Sequence, residues 1–291
     1  MAGPPEQVAW RCGGRDRLVA GRPLVMGVLN VTPDSFSDGG RFATPEAAIE
    51  QGRALADEGA DLLDVGAEST RPGAESVPAA EQIRRLAPVL EGLRGLAISV
   101  DTASAEVAAY ALEHGAAIVN DVSALSDPAM AGVVAASGAG VVLMHMRGTP
   151  RTMQADLRYD DVVGAVEAFL RERLAAAAAA GVDPECVALD PGIGFGKDAA
   201  QSVALLAATA RLAAIGRPLL VGASRKSFLG RLTGAEDPRD RLEASLAAAA
   251  IAAHQGAAIL RVHDVAATVR AVQVATAVRA AGAAMGTGAR T

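Results

Sequence analysis

Residues 24–40 read LVMGVLNVTPDSFSDGG. The first six, Leu24 to Leu29, are an apolar run of the length and branching of a strand buried on both faces. At Asn30 the chemistry changes, and the next ten residues hold Thr, Pro, two Asp, two Ser and a Gly pair around Phe36. A buried strand that opens at its C-terminal end into hydroxyls and carboxylates is how barrel enzymes carry their chemistry. Pro-Asp and Asp-Gly are also ordinary turn material. That accounts for the Pro and Gly, but not for a buried strand ending in Asn or for a Phe inside a polar loop. The remainder of the chain decides between the two.

Outward from this stretch the same unit recurs. Apolar runs at 24–29, 62–65, 97–100, 118–120, 141–144, 187–189, 219–221 and 259–262 predict eight strands. Helical patterns at 45–58, 79–93, 103–114, 128–136, 159–180, 201–214 and 239–255 lie between most of them, and a last helix covers 265–280. Thr44-Pro45, Asp127-Pro128 and Asp237-Pro238 each set a capping side chain before Pro at the first helical position. Gly59, Gly115, Gly138, Gly181 and Gly256 stand just before a strand, where a left-handed helix C-cap is needed. Short strands without alternation indicate a parallel sheet. Eight such units predict an α/β (βα)8 TIM barrel as a single domain over residues 22–291, with residues 1–21 as an N-terminal arm or cap. An open doubly wound sheet would place a G-x-G-x-x-G loop after its first strand, and none is there.

Composition narrows the function classes. The 291 residues are 51% hydrophobic but 3% aromatic, so the core is aliphatic and Ala-rich. A net charge of −6 argues against a nucleic-acid surface, which needs a basic stripe. Cys12 and Cys186 have no metal or redox spacing and are expected as free thiols in a reducing compartment. The N-terminus has no basic segment followed by an apolar one, and Ala-rich runs such as 246–253 are too short to span a bilayer. A cytoplasmic protein without membrane or nucleic-acid partners is expected.

The residues at the C-terminal ends of the strands form one set. They are Asn30; Asp64 leading to Glu68-Ser69-Thr70-Arg71-Pro72-Gly73; Asp101-Thr102; Asn120-Asp121; Met144-His145-Met146; Asp190 to Lys197; Gly222 to Ser227; and Arg261-Val262-His263-Asp264. Polar residues at one end of every strand predict a single pocket. Asp190 before Pro-Gly is also turn material, and Asn120 and His263 are also capping residues, but their joint placement favours a site. A carboxylate and an amide suit a hydrogen-bonding heterocycle. Arg261 and His263, two apart on a strand, point to the same side and can both donate to phosphate oxygens.

Five segments carry a resemblance. GVLNVTPDSFSDGG (27–40), GAESTRPGA (66–74), DPGIGFGK (190–197), GASRKSFLG (222–230) and RVHDV (261–265) resemble, in this order, the signature blocks of the dihydropteroate synthase family. The resemblance implies condensation of 6-hydroxymethyl-7,8-dihydropterin pyrophosphate with p-aminobenzoate by SN1-like substitution. It implies catalytic roles for Asp101, Asp190 and Lys226, and a pterin-pyrophosphate site of Thr70, Asp101, Asn120, Met144, Asp190, Phe195, Gly222, Lys226, Arg261 and His263. Phe36, Thr70, Arg71, Pro72 and Ser227 are implied around p-aminobenzoate, Asn30 as a ligand of Mg2+, and a homodimer as the assembly. A methyltetrahydrofolate–corrinoid methyltransferase of the same fold would share the Asp/Asn slot but not need the pyrophosphate cradle, and a non-catalytic pterin-binding paralogue is the other alternative. Gly192-x-Gly194-x-Gly196-Lys197 lacks the spacing of a phosphate loop, and Lys197 is expected as a solvated helix-start residue. His114 and His254 are expected at helix C-termini, His145 in packing, and 171–173 on an exposed helix face.

Overall fold

The computed structural model describes residues 9–16, 21–31, 44–68, 73–74 and 76–288. A hairpin of β1 (Arg11–Cys12) and β2 (Arg15–Asp16) precedes the repeating units. These run β3 (Leu24–Asn30), α1 (Pro45–Asp57), β4 (Leu62–Gly66), α2 (Ala79–Gly92), β5 (Ile98–Asp101), α3 (Ala105–Glu113), β6 (Ile118–Asp121), α4 (Met130–Ser137) and β7 (Gly140–Met144). They continue with α5 (Val162–Ala179), β8 (Val187–Asp190), α6 (Ala199–Ala207), α7 (Thr209–Ala213), β9 (Leu220–Val221), α8 (Ser227–Thr233), α9 (Leu242–His254), β10 (Ile259–Val262) and α10 (Val265–Gly288). The eight strands β3 to β10 are all parallel in the order β8-β7-β6-β5-β4-β3-β10-β9. A parallel bridge between Leu189 and Leu219 brings the two ends of that order together, so the sheet closes as a barrel.

Local chemistry explains the element ends. Ser104, Asp161 and Asp198 cap α3, α5 and α6 by accepting from the backbone N–H three residues on, and Asp198 with Gln201 forms a reciprocal capping box. The helix expected over 201–214 is two helices. The buried Thr209 hydroxyl donates to Leu206 O (2.7 Å) at the break, a local bond that competes with the helical ladder. The pattern over 239–255 opens with a 3-10 turn, Pro238–Asp240, and becomes α-helical only at Leu242. There the Arg241 side chain turns back onto the carbonyls of Arg225, Ala235 and Glu236. Helix α8 starts at Ser227, the last residue of the strand-end set after β9, and runs through a stretch for which the sequence pattern predicts no helix.

The apolar residues form two cores. One lies between the sheet and the outer helices and includes Val65, Val100, Val119, Leu143, Leu189, Val221 and Leu260. The other fills the lower interior of the barrel with Met26, Leu62, Ile118, Val142, Ala188, Leu220 and Ile259, against Trp10 and Cys12 of the N-terminal segment. Trp10 is 1% exposed and donates from Nε1 to Cys186 O (2.9 Å), and Gly13 N donates to Gly138 O (2.9 Å). The hairpin therefore seals the barrel's lower mouth. Among the described residues no helix is long and apolar enough to cross a membrane.

Candidate active site

Successive side chains of a strand point to opposite faces. The lower interior residues Leu62, Ile118, Val142, Ala188, Leu220 and Ile259 therefore dictate what faces inward two positions later. Those positions are Asp64, Asn120, Met144, Asp190, Gly222 and Arg261, and β5 adds Ser99 and Asp101. All the strands run the same way, so this polar layer gathers at their C-terminal ends. The strands read as uniformly apolar because their lower halves feed two cores at once.

On one side of the layer the groups are bonded to each other. Asp64, fully buried, accepts from Ser99 Oγ (2.7 Å), Asn120 Nδ2 (3.0 Å) and Arg261 Nε (2.6 Å). Arg261 also donates from an η nitrogen to Asp101 Oδ2 (2.9 Å). Burial pushes the Asp101 carboxyl up to about 7, and the negative charge of Asp64 adds to this while Arg261 opposes it. Burial works against the Arg261 cation, but Asp64 and Asp101 outweigh it and raise its pKa. Asp101 Oδ1 is buried with no hydrogen-bond partner among the described residues. A buried acceptor in this state costs free energy unless a ligand meets it.

The other side is organised by two lysines. Asp190 Oδ1 accepts from Gly192 N (2.7 Å); burial raises its carboxyl, and Lys226 and the Gly192 N–H hold it back. Lys226 donates to Ile193 O and lies 4.5 Å from the Phe195 ring centroid. Burial lowers the Lys226 ammonium to about 8 despite Asp190. Gly222 lies between Lys226 and Arg261, each about 4 Å from where its Cβ would be. Gly192 is required as glycine: its φ is +63°, and a Cβ would stand 1.9 Å from His145 O.

Lys197 is not the solvated helix-start residue expected from the sequence. It is 4% exposed, with Nζ at 2.9 Å from Gly192 O, 2.8 Å from Phe195 O, 3.3 Å from His145 O and 3.0 Å from His145 Nδ1. The Gly-rich loop curls around it, and the ammonium replaces water for those carbonyls. Burial lowers it to about 7 and lowers the adjoining His145 imidazole to about 3. His145 packs edge-on against Phe169, with ring centroids 4.8 Å apart.

The remaining candidates divide by place. Met144 is buried at the end of β7, opposite Asp190 in the sheet register. His263 meets Ser224 Oγ through Nδ1 (3.0 Å) and its backbone N–H (3.3 Å). Asn30 ends β3 on the rim, half-buried and level with Gly66. Ser227 is exposed as the first residue of α8. Phe36, Thr70, Arg71 and Pro72 lie outside the described residues. His114 and His254 stand at the C-terminal ends of α3 and α9. Arg171 is exposed, but Arg173 is half-buried, so the 171–173 face is only partly solvated. Asp64 and Ser99 received no role in the sequence reading. The signal for Asp64 was a lone carboxylate within an apolar strand, which must be paired if buried.

Together the layer offers carboxylate and amide acceptors beside two cations, with Phe195 and Met144 as apolar walls. That suits a flat, hydrogen-bond-rich ring, and Arg261 and His263 suit an anion at the rim. A family model described as "Pterin binding enzyme" matches residues 26–263. A dihydropteroate synthase of Escherichia coli is 46% identical over 237 residues, covering 80% of this chain and 84% of that protein. A probable bifunctional folylpolyglutamate synthase/dihydropteroate synthase of Haloferax volcanii is 50% identical over 234 residues, and the matched stretch is 80% of this chain but 28% of that longer protein. The solved structure of Xanthomonas albilineans dihydropteroate synthase with 4-aminobenzoic acid superposes with a TM-score of 0.87 at 51% identity, over 94% of this chain and 99% of that one.

Proposed function

From membership of the pterin-binding enzymes, the family to which this chain belongs, we propose that it joins p-aminobenzoate to the methylene carbon of 6-hydroxymethyl-7,8-dihydropterin pyrophosphate. The products are 7,8-dihydropteroate and pyrophosphate, an aryl-amine alkylation in folate biosynthesis. The observation that carries this reading is the polar inner layer: buried acceptors Asp101 and Asp190 face the cations Lys226 and Arg261 above a dry barrel floor.

Asp190 and the Asn120 carbonyl take the ring's N–H donors, and Lys226 donates to its oxygen and nitrogen acceptors. Met144 and Phe195 cover its faces, and Gly222 leaves room beside it. As the carbon–oxygen bond to pyrophosphate breaks, positive charge grows on the pterin methylene. Asp101 favours that charge through its unpartnered oxygen. Arg261 and His263 hold the departing pyrophosphate. The neutral amine of p-aminobenzoate then forms the carbon–nitrogen bond and gives up one proton to solvent. Phe36, Thr70, Arg71, Pro72 and Ser227 are assigned to the p-aminobenzoate end, where water must be kept from the activated carbon.

Mg2+ is the cofactor of this reading, with Asn30 as its protein ligand. Asn30 brings a hard oxygen to the rim, and no group of three His, Cys, Asp or Glu among the described residues could hold a metal by itself. The donor set therefore fits an ion whose shell is completed by substrate phosphates and water. When bound, it offsets the charge of the departing pyrophosphate.

The test mixes purified protein, Mg2+, the pterin pyrophosphate and p-aminobenzoate and follows pyrophosphate release. Release that requires p-aminobenzoate, with a sulfonamide raising its KM at unchanged kcat, is expected. Binding of both substrates without turnover would sink the reading. The working form is proposed as a cytoplasmic homodimer, because the late helices expose Ile251, Val274 and Val278. Sedimentation at micromolar concentration should give twice the 29.3 kDa chain mass, and a monomer would remove that assignment.

A further inference from the structure

We propose that Asp64 is a positioning residue that presets the site for its heterocycle by fixing the Asn120 amide and the Arg261 guanidinium in one orientation. The inference rests on the reaction proposed above. Asp64 is 0% exposed, so its carboxylate reaches no ligand. It instead gathers donors from three other strands: Ser99 of β5, Asn120 of β6 and Arg261 of β10.

The chemistry of the acceptor decides the orientation. An ionised carboxylate accepts hydrogen bonds and cannot donate them, so it faces the NH2 end of the Asn120 amide. The amide is planar, and its carbonyl oxygen is therefore turned away from Asp64. Asn120 then meets a ligand as an acceptor, and the ring edge opposite it must offer an N–H. A ring edge with a lone pair there leaves two acceptors facing each other, which is how a polar site rejects a near-isostere. The same carboxylate holds Arg261 through Nε and so aims its η nitrogen at Asp101 Oδ2.

A second consequence is electrostatic. The charged groups bearing on Asp101 are Asp64, Arg261, Asp121 and Glu68. Burial is the largest influence, followed by Asp64. Removing the charge of Asp64 without changing its shape leaves Arg261 to Asp101 alone, so Asp101 ionises at lower pH.

Asp64→Asn tests both consequences. The new amide has to present a donor to Ser99 or Asn120, and Asn120 answers by turning its own donor toward the ligand. The KM for the pterin pyrophosphate should rise about tenfold or more, as when an outer partner of a binding group is lost, while the KM for p-aminobenzoate stays near the wild-type value. The acidic limb of kcat/KM should move down by about one pH unit. A merely structural role would lower the active fraction and leave both the KM ratio and the limb in place. Ser99→Ala separates orientation from charge, because it frees one oxygen of Asp64 and keeps the carboxylate. It should raise the pterin KM about fivefold with the limb unmoved. A stationary limb in Asp64→Asn, or an equal change in both KM values, overturns the proposal. If Asp64→Asn does not fold, a wild-type pterin KM in Ser99→Ala overturns it. No turnover by the wild-type protein would instead sink the reaction reading itself.

Discussion

The two inner layers of the barrel sit on the same strands and the same faces, two residues apart, and have opposite chemistry. Leu62, Ile118, Ala188 and Ile259 pack below, on top of Trp10, while Asp64, Asn120, Asp190 and Arg261 stand above them. Two residues of strand are only about 6.6 Å. Over that distance the barrel passes from a dry apolar floor to a layer in which burial shifts Asp101, Asp190 and Lys226 away from their ordinary ranges. The floor lowers the free energy of the fold through buried area. The upper layer raises it through desolvation that a ligand can relieve. The floor also sharpens the upper layer, because a low-dielectric base strengthens every charge interaction above it.

Two substitutions should separate these roles, and the larger total effect is above. Arg261→Leu removes the cation that, among the described residues, is bonded to both Asp64 and Asp101. It leaves two carboxylates buried together, so about 3–5 kcal/mol of stability should be lost in urea unfolding, and turnover should fall below detection. Trp10→Ala opens a cavity under the floor and strands the Cys186 carbonyl. Its cost is again about 3–5 kcal/mol, but the kcat/KM of the folded protein should be unchanged. If Trp10→Ala changed the pterin KM, the layers would be coupled and the comparison would fail.

Much of the fold was legible because its signals are local. All eight strand runs lie within a residue or two of the observed elements, since each is an apolar run closed off by Gly or by a polar strand end. What escaped depends on individual side-chain contacts, near or distant in the chain, that composition does not display. The break at Thr209 comes from one hydroxyl finding a carbonyl three residues back. The strand-end rule brought Asp64, Asp101, Asn120, Asp190, Lys226, Gly222 and Arg261 together, yet gave Asp64 no role and passed over Ser99, which stands two residues before the end of its strand. Lys197 was misread because Gly194-Phe195-Gly196 has the composition of a solvated turn. Nothing in that composition shows that carbonyls from two loops converge on its ammonium.

Lys197 also provides the smallest and most specific test of the difference between the layers. Burial sets its folded pKa at about 7 against an ordinary value of 10.5. Between these values the unfolded chain holds a proton that the folded chain lacks, so stability from this group rises as pH increases from about 7 toward 10.5. Below about 7 both states are charged and the burial cost is fully expressed. Lys197→Met has a side chain of similar length without a titrating group. The stability difference, wild type minus variant, should therefore grow by about 1 kcal/mol per pH unit between pH 7 and 9. Lys226 titrates in both proteins and cancels, and His145, lowered to about 3, stays neutral throughout that window. The same subtraction for Trp10→Ala should be flat, because the floor residue it removes does not titrate. A flat line for Lys197→Met would mean that the carbonyls of Gly192, Phe195 and His145 hold the ammonium as well as water does. The upper layer would then contain one buried charge that costs the fold nothing.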